Sequence, residues 1–368
     1  MKKRKNLVRF AAAFAAVVLA VTPVAACADS SYTYVYDFWG EYQECPDAYS
    51  VSKVLTSSDL GLEIKMKNPS GMFVKDDLVY ICDTGNNRII ELKRVSQEKL
   101  EVVRIIDSFT GDAEPAAFSG PTDMAISEDG DFFIADKGNA RIVKLDSDLN
   151  YMMEFVKPDD ATLDKDLVFA PSKLVVDTAG RVYCIASGIN KGLIKYEADG
   201  TFSGFVGATP VTYDLWDYIF KRFATQEQLA QMVSFVPTEY DNLYMDHEGF
   251  VYTCQGGQEE NDLANGSADA VRKLNLLGND ILVRNGYDEV PIIGDIYFGT
   301  GGGTSGPSYF SDITCFDNDI YVCLDRNRGR LFAYDDQGRL VYAFGGIGNM
   351  DGRLVIMLNL EEIVGLPG

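Results

Sequence analysis

The chain has 368 residues, 46% hydrophobic and 24% charged, enough apolar material for a large core and too much for a disordered chain. Its 33 Lys and Arg against 55 Asp and Glu give a formal charge of −22, a surface that repels phosphate backbones and anionic lipid and so speaks against nucleic-acid and peripheral-membrane roles. A single histidine, His247, excludes a zinc site built from several imidazoles, and any histidine triad would rest on one ring in the turn-like stretch DHEG.

Residues 1–28 read as a signal segment. MKKRKNLVRF is a basic start, AAAFAAVVLAVTPVAA an apolar run broken by Pro23, and Ala26-Cys27-Ala28 has the small-x-small form of a cleavage site. Cleavage before Asp29 is the favoured reading. Val24-Ala25-Ala26-Cys27 also resembles a lipobox, although Val24 stands where Leu is usual, so a lipid anchor at Cys27 is the alternative. No second stretch reaches the ~18 apolar residues that span a bilayer. The mature protein is therefore expected to be secreted or otherwise extracytoplasmic, touching a membrane only through the signal or that anchor.

Residues 29–346 read as one repeat domain, and from Pro69 onward the chain repeats itself. Five segments align: PSGMFVKDDLVYICDTGNNRIIELKR from Pro69, PTDMAISEDGDFFIADKGNARIVKLD from Pro121, PSKLVVDTAGRVYCIASGINKGLIKYE from Pro171, YDNLYMDHEGFVYTCQGG with AVRKLNLLG, and FSDITCFDNDIYVCLDRNRGRLFAYD. Their aromatic anchors are Tyr80, Phe133, Tyr183, Tyr252 and Tyr321. Each unit offers short β-branched and aromatic runs bounded by Gly, Asp and Asn, the pattern of antiparallel strands. A fourth strand closes the third unit (FSGFVG) and the fifth (LVYAFGG). Four strands repeated radially make β-propeller blades. On this register Cys82, Cys254 and Cys323 share one strand position, where another repeat has Ala135, and are expected to be buried and unpaired.

The pattern D-x-G-N-x-R-I, present as Asp83-Thr84-Gly85-Asn86-Asn87-Arg88-Ile89 and Asp136-Lys137-Gly138-Asn139-Ala140-Arg141-Ile142, resembles the NHL repeat. The resemblance implies a propeller of exported NHL-repeat type. The third repeat has Ser187 in the Asp region, the fifth reads DRNRGRL, and the fourth lacks the motif. The turn chemistry itself predicts a structural role: Asp capping the following turn, Gly supplying positive φ, Arg returning across the hairpin to the acid.

YVYDFWG at Tyr34–Gly40 shares the F-x-G spacing of the closing strand Tyr342–Gly346, as an N-terminal strand that completes a last blade would. The inner strands of that blade should then come from residues 347–368, which show no repeat unit. The expected fold is all-β, a six-bladed type of propeller with five clear blades, an incomplete sixth blade or tail at 347–368, and a short helical insertion.

That insertion covers 212–234. Leu215, Trp216, Ile219, Phe220 and Phe223 recur at helical spacing and Thr225 to Gln228 form a capping box, giving either a lid with Trp216 and Phe220 over a ligand or a structural plug. The Gly-rich stretch GDIYFGTGGGTSGPSYF lacks the Lys and helix of a phosphate loop and reads as an inter-blade loop. QGGQEENDLANGSAD lacks calcium-loop spacing and reads as a solvated hairpin tip.

Aligning the innermost strands places Gly71, Asp123, Lys173, Asn242 and Asp312 at equivalent positions near one mouth of the central channel. Their oxygens suit the hydroxyls of a sugar or a hard cation such as calcium, with Asp123 and Asp312 as metal ligands; hydrogen bonding among inner strands is the plainer alternative. Two functions follow. A binding scaffold would recognise a glycan, a peptide or a cell-envelope protein and need no catalytic residue. An enzyme would be a calcium-dependent lactonase-like or sugar-acid hydrolase, for which no metal and general-base pair can be named. The sequence favours binding. A histidine-zinc lyase, known on some NHL propellers, is excluded by the lone histidine.

Overall fold

The computed structural model describes residues 33–346 except 38, 47, 50–53, 97, 209–238, 265, 267, 286–292 and 296–305. The signal segment, the insertion with Trp216 and Phe220, most of the Gly-rich stretch and residues 347–368 lie outside the described residues.

A hairpin, β1 (Thr33–Tyr36) and β2 (Tyr42–Cys45), precedes five antiparallel sheets. The first holds β3 (Gly71–Lys75), β4 (Leu78–Asp83), β5 (Arg88–Ser96) and β6 (Lys99–Ile106). The second holds β7 (Pro121–Ile126), β8 (Phe132–Asp136), β9 (Arg141–Leu145) and β10 (Tyr151–Phe155), and the third β11 (Pro171–Val176), β12 (Val182–Ala186), β13 (Leu193–Tyr196) and β14 (Phe202–Val206). The fourth shows three strands among the described residues, β15 (Asn242–Met245), β16 (Val251–Cys254) and β17 (Val271–Leu274). The fifth is β18 (Phe310–Cys315), β19 (Tyr321–Asp325), β20 (Arg330–Tyr334) and β21 (Leu340–Gly345). The innermost strands neighbour one another in chain order around a central cavity, so the sheets are blades.

Burial follows from that arrangement. The second strands β8 and β12 are buried at every residue because both faces meet neighbouring blades, and β19 is equally buried with one face on the fourth blade, whereas the outer strands β6 and β10 alternate exposed and covered positions. Tyr80, Cys82 and Ile89 of the first blade pack with Met124, Ile134 and Val143 of the second. Tyr183, Ile185 and Leu193 of the third pack with Leu243, Val251 and Leu274 of the fourth. Each fully buried aliphatic chain here contributes roughly 1.5–3 kcal/mol.

Several expectations are corrected. β1 pairs with β21 and β2 with β1, so the N-terminal strand widens the fifth blade instead of standing in a separate sixth one. Tyrosines explain the attachment: Tyr34 packs edge to face on Tyr36 and on Tyr42, which lie tilted against each other, and the Tyr36 and Tyr42 hydroxyls both donate to Asp295 Oδ1, at 3.1 and 2.7 Å. Asp295 Oδ2 meets Arg330 at 2.9 Å and Arg328 at 3.3 Å. The acidic stretch read as a hairpin tip contains a short helix, α1 (Glu260–Ala264), with Glu260 and Asp262 in its first turn, where the helix dipole favours acids, and Leu263 buried beneath it.

Cys82, Cys254 and Cys323 are buried and outside any disulfide, but they do not share a position. Gly71 pairs with Cys82 and Asn242 with Cys254, whereas Asp312 pairs with Leu324 and Ile313 with Cys323. The fifth repeat is thus shifted by one residue, with Val322 and not Tyr321 opposite the other anchors. Nor are the cysteines all far apart, since Cys254 and Cys323 lie in one core cluster between adjacent blades.

The D-x-G-N-x-R-I motif is structural: Arg returns across the hairpin to the acid as expected, while the side-chain cap and the glycine φ are replaced by other contacts. Asp83 makes no side-chain cap to the turn that follows; its Oδ1 accepts from Lys67 N at 2.7 Å, while Oδ2 accepts from Asn86 Nδ2 at 2.8 Å and Arg88 Nε at 2.7 Å. Asp136 does the same with Ser119 N at 2.7 Å, Asn139 Nδ2 at 2.7 Å and Arg141 Nε at 3.1 Å. The acid clips the loop entering its blade to the hairpin within it. Positive φ falls on Asn87 and Ala140, both at 56°, not on the glycines. Gly85 and Gly138 are needed because a Cβ would stand 2.5 Å from Lys67 O and 2.6 Å from Ser119 O.

Candidate functional site

The innermost strands of all five blades enclose a cavity of about 490 Å³, within the range of small-molecule pockets. Asp123, Lys173, Asn242 and Asp312 all line it, so the four residues selected from sequence are brought together. Strand irregularity aims three of them. The register shifts between Pro121 and Asp123, between Pro171 and Lys173, and between Phe310 and Asp312, and a bulge of this kind re-aims the side chain that follows it. In the first blade the position is Gly71. A Cβ there would sit 2.8 Å from Asp123 Oδ1 and 2.5 Å from Thr122 O, so glycine is what lets the second blade approach.

The polar groups bridge blades. Asp123 Oδ2 accepts from Leu174 N of the third blade at 2.9 Å. Asn242 Nδ2 donates to Asp312 Oδ1, joining the fourth and fifth blades, and that oxygen also accepts from Ile313 N at 2.9 Å. Asn242 Oδ1 accepts from Leu243 N at 2.8 Å. The inner-strand hydrogen bonding is therefore real, yet it leaves the charges unbalanced. Burial pushes the Asp123 carboxyl up to about 6; the Lys173 ammonium and the backbone donors pull it down, and Asp312 raises it further.

This donor set suits calcium poorly. Two carboxylates and an amide, with an ammonium among them, fall well short of six to eight oxygens. Among the described residues no group of three or more His, Cys, Asp or Glu stands where it could hold a metal ion. His247 is exposed in its turn, away from the cavity lining.

Two features escaped sequence reasoning. The close approach at Gly71 had no signal beyond a glycine before an apolar strand. The Asp295 junction had none, because its partners come from distant parts of the chain and no local motif marks it.

Radial antiparallel blades around a central cavity define the chain as a β-propeller. The NHL repeat family model matches residues 118–145, the first three strands of the second blade and the end of the loop leading into it, where the Asp136 clip lies. The chain is thus a β-propeller with an NHL repeat in its second blade. Among solved structures it is similar to virginiamycin B lyase from Staphylococcus aureus, at 11% identity and a TM-score of 0.42 over 75% of this chain and 69% of that one. A streptogramin B lyase matches at 12% identity and 0.42 over 76% and 70%, and a chain of a nidogen/laminin complex at 14% and 0.43 over 85% and 92%. No match is found among curated protein sequences.

Proposed function

We propose that the protein is an extracytoplasmic binding module that takes part of its ligand, a group on a glycan, a peptide or a cell-envelope protein, into the central cavity. The observation that carries this reading is the convergence of Asp123, Lys173, Asn242 and Asp312, from four consecutive blades, on one cavity. The basic and apolar start of the chain supports export. A buried carboxyl titrating near 6 supports a role in binding, because a site selected for stability alone would balance its charge as Asp136 does.

The lactonase-like alternative gains no support from the donor set around the cavity, and no residue is assigned a catalytic role. Binding of labelled envelope glycans and peptides by the full chain and by a Val176→Trp variant, which fills the cavity, tests the reading. A ligand held by the wild type and lost in the variant is the expected result. Ligands held equally by both would move the binding surface out of the cavity.

A further inference from the structure

The turn after the second strand is used differently in the fifth blade. Ala135 pairs with Asp123 and Leu324 with Asp312, so Lys137 and Arg326 stand at one equivalent position, as does Thr84 in the first blade, where Cys82 pairs with Gly71. Thr84 Oγ1 donates to Pro121 O of the second blade at 2.7 Å, and Lys137 Nζ to Ser187 Oγ of the third at 3.4 Å. Those side chains tie a blade to the next. Arg326 turns back instead: its guanidinium carbon lies 3.8 Å from the centre of the ring of Tyr309, the residue that leads into β18.

That stack is fixed on several sides. A Cβ at Gly256 would strike the Tyr309 ring, so glycine lets the ring lie against the fourth blade. The Tyr309 hydroxyl donates to Asp241 Oδ1 at 3.4 Å, and Asp241 Oδ2 accepts from Gly256 N at 2.7 Å. Arg326 N donates to Tyr309 O at 3.0 Å, and Tyr309 N to Asp325 Oδ1 at 3.2 Å. Ring and backbone thus hold an exposed guanidinium in place without using its donors. Among the described arginines only Arg326 and buried Arg272 lack an ion pair, on a chain with 55 acids. Asp241 is near Arg326 but engaged elsewhere: burial raises its carboxyl, and Gly256 N, the Arg326 charge and the Tyr309 hydroxyl lower it.

A guanidinium held in one plane offers a fork of N–H donors and no acceptor, which selects a planar, negatively charged group with two oxygens. A phosphate dianion would meet twice the repulsion from Asp241 and Glu239 that a carboxylate meets. The net charge of −22 weighs less, because at physiological salt charges beyond ~8 Å are largely screened.

We propose that Arg326, stacked on Tyr309, binds a carboxylate of a ligand seated beside the end of the cavity where Asp312 stands. β18 begins where β19 ends, with Phe310 opposite Asp325, which brings Arg326 to that end. Neither Arg326 nor Tyr309 lines the cavity, so this site goes beyond the reading of the cavity and is tested separately from it. A sugar acid and an acidic peptide side chain present the same group, and isosteric probes separate them.

Ligand-detected NMR on the full chain at low ionic strength compares glucuronate with glucuronamide, and the α-amide of Nα-acetyl-glutamate with that of Nα-acetyl-glutamine. In at least one pair the carboxylate should bind at least about 10-fold tighter than its amide, about 1.4 kcal/mol, and the pair that shows it names the source. Arg326→Gln should abolish that preference; Arg326→Lys, which keeps the charge and loses the fork, should keep only part of it. Thermal melts confirm that both variants are folded. No preference in either pair, or one that survives Arg326→Gln, overturns the site. Inorganic phosphate bound more tightly than both carboxylates, and lost in Arg326→Gln, overturns the choice of carboxylate. Envelope ligands lost in Val176→Trp, with no carboxylate preference in the wild type, would keep the cavity and remove Arg326. A carboxylate preference that persists in Val176→Trp, with envelope ligands held equally by that variant, would do the reverse.

Discussion

The second blade carries two buried aspartates one strand pair apart, and they are opposites. Asp136, at the end of β8, is wholly buried and has its needs met by a backbone amide, Asn139 and Arg141. Asp123, in the facing strand, is 7% exposed and has one neighbouring-blade amide, one ammonium nearby and another carboxylate close enough to push it upward. Burial alone therefore does not say what an acid is for. The balance of partners does: the matched acid holds the blade, while the mismatched one is tolerated at a cost to stability, as at binding sites.

The largest effect should come from breaking the matched side. Asp136→Ala leaves Arg141, 3% exposed, as a buried charge without its main partner, and should lose roughly 3–5 kcal/mol in urea unfolding. A loss under about 1 kcal/mol would show that the clip is not what holds the blade.

On the mismatched side the sign reverses. Asp123 titrates near 6 in the folded chain and near 3.8 when unfolded, so between those values the folded state holds more protons. Its contribution favours folding fully below about pH 4 and is lost as the pH rises through 6, a difference on the order of 3 kcal/mol. Asp123→Asn, which keeps an acceptor for Leu174 N, should stabilise the protein at pH 7 by up to that amount and flatten the pH profile between 4 and 6. Destabilisation at pH 7 would place Asp123 with the matched acids. Lys173→Met should move the Asp123 titration upward from about 6, followed by the carboxyl carbon signal in NMR, because the pull of the ammonium is lost. A downward movement would mean that Lys173 does not act on the carboxyl.

The smallest expected effect refines the clip. Ala140 holds φ at 56°, a region costly for any side chain, so Ala140→Gly should gain roughly 0.5 kcal/mol after the added freedom of the unfolded chain is set against the relieved strain. Thermal melts of the two proteins measure it, and an unchanged or lower midpoint would count against strain in this turn.

Much of the architecture was readable because a propeller repeats its physics. The entry residue of each inner strand is fixed by its neighbours, which is why Asp123, Lys173, Asn242 and Asp312 could be aligned across blades with different turns. In the fifth repeat Tyr321-Val322-Cys323 imitates the Tyr-x-Cys of the first and fourth, but the register follows Asp325, the counterpart of Asp136, because an ion-paired acid constrains register more than a small apolar side chain does. Gly138 suggested positive φ, but a close backbone approach also selects glycine, and sequence does not separate the two reasons. The unbalanced charge at Asp123 depends on distances across blades that no stretch of sequence contains.

The tyrosine junction at Asp295 also sets an order of events. Tyr36 is made early and Asp295 follows 259 residues later, so the β1–β2 hairpin lacks its β21 neighbour while the intervening blades are synthesised. Those blades can stack as they emerge, since each needs mainly its predecessor. Until Asp295, Arg328 and Arg330 appear, Tyr34, Tyr36 and Tyr42 are a sticky aromatic surface near the start of a nascent chain, the kind of surface that chaperones hold. A chain ending before Asp295 would carry the β1–β2 hairpin without β21 beside it and without the acid that joins its tyrosines to Arg328 and Arg330.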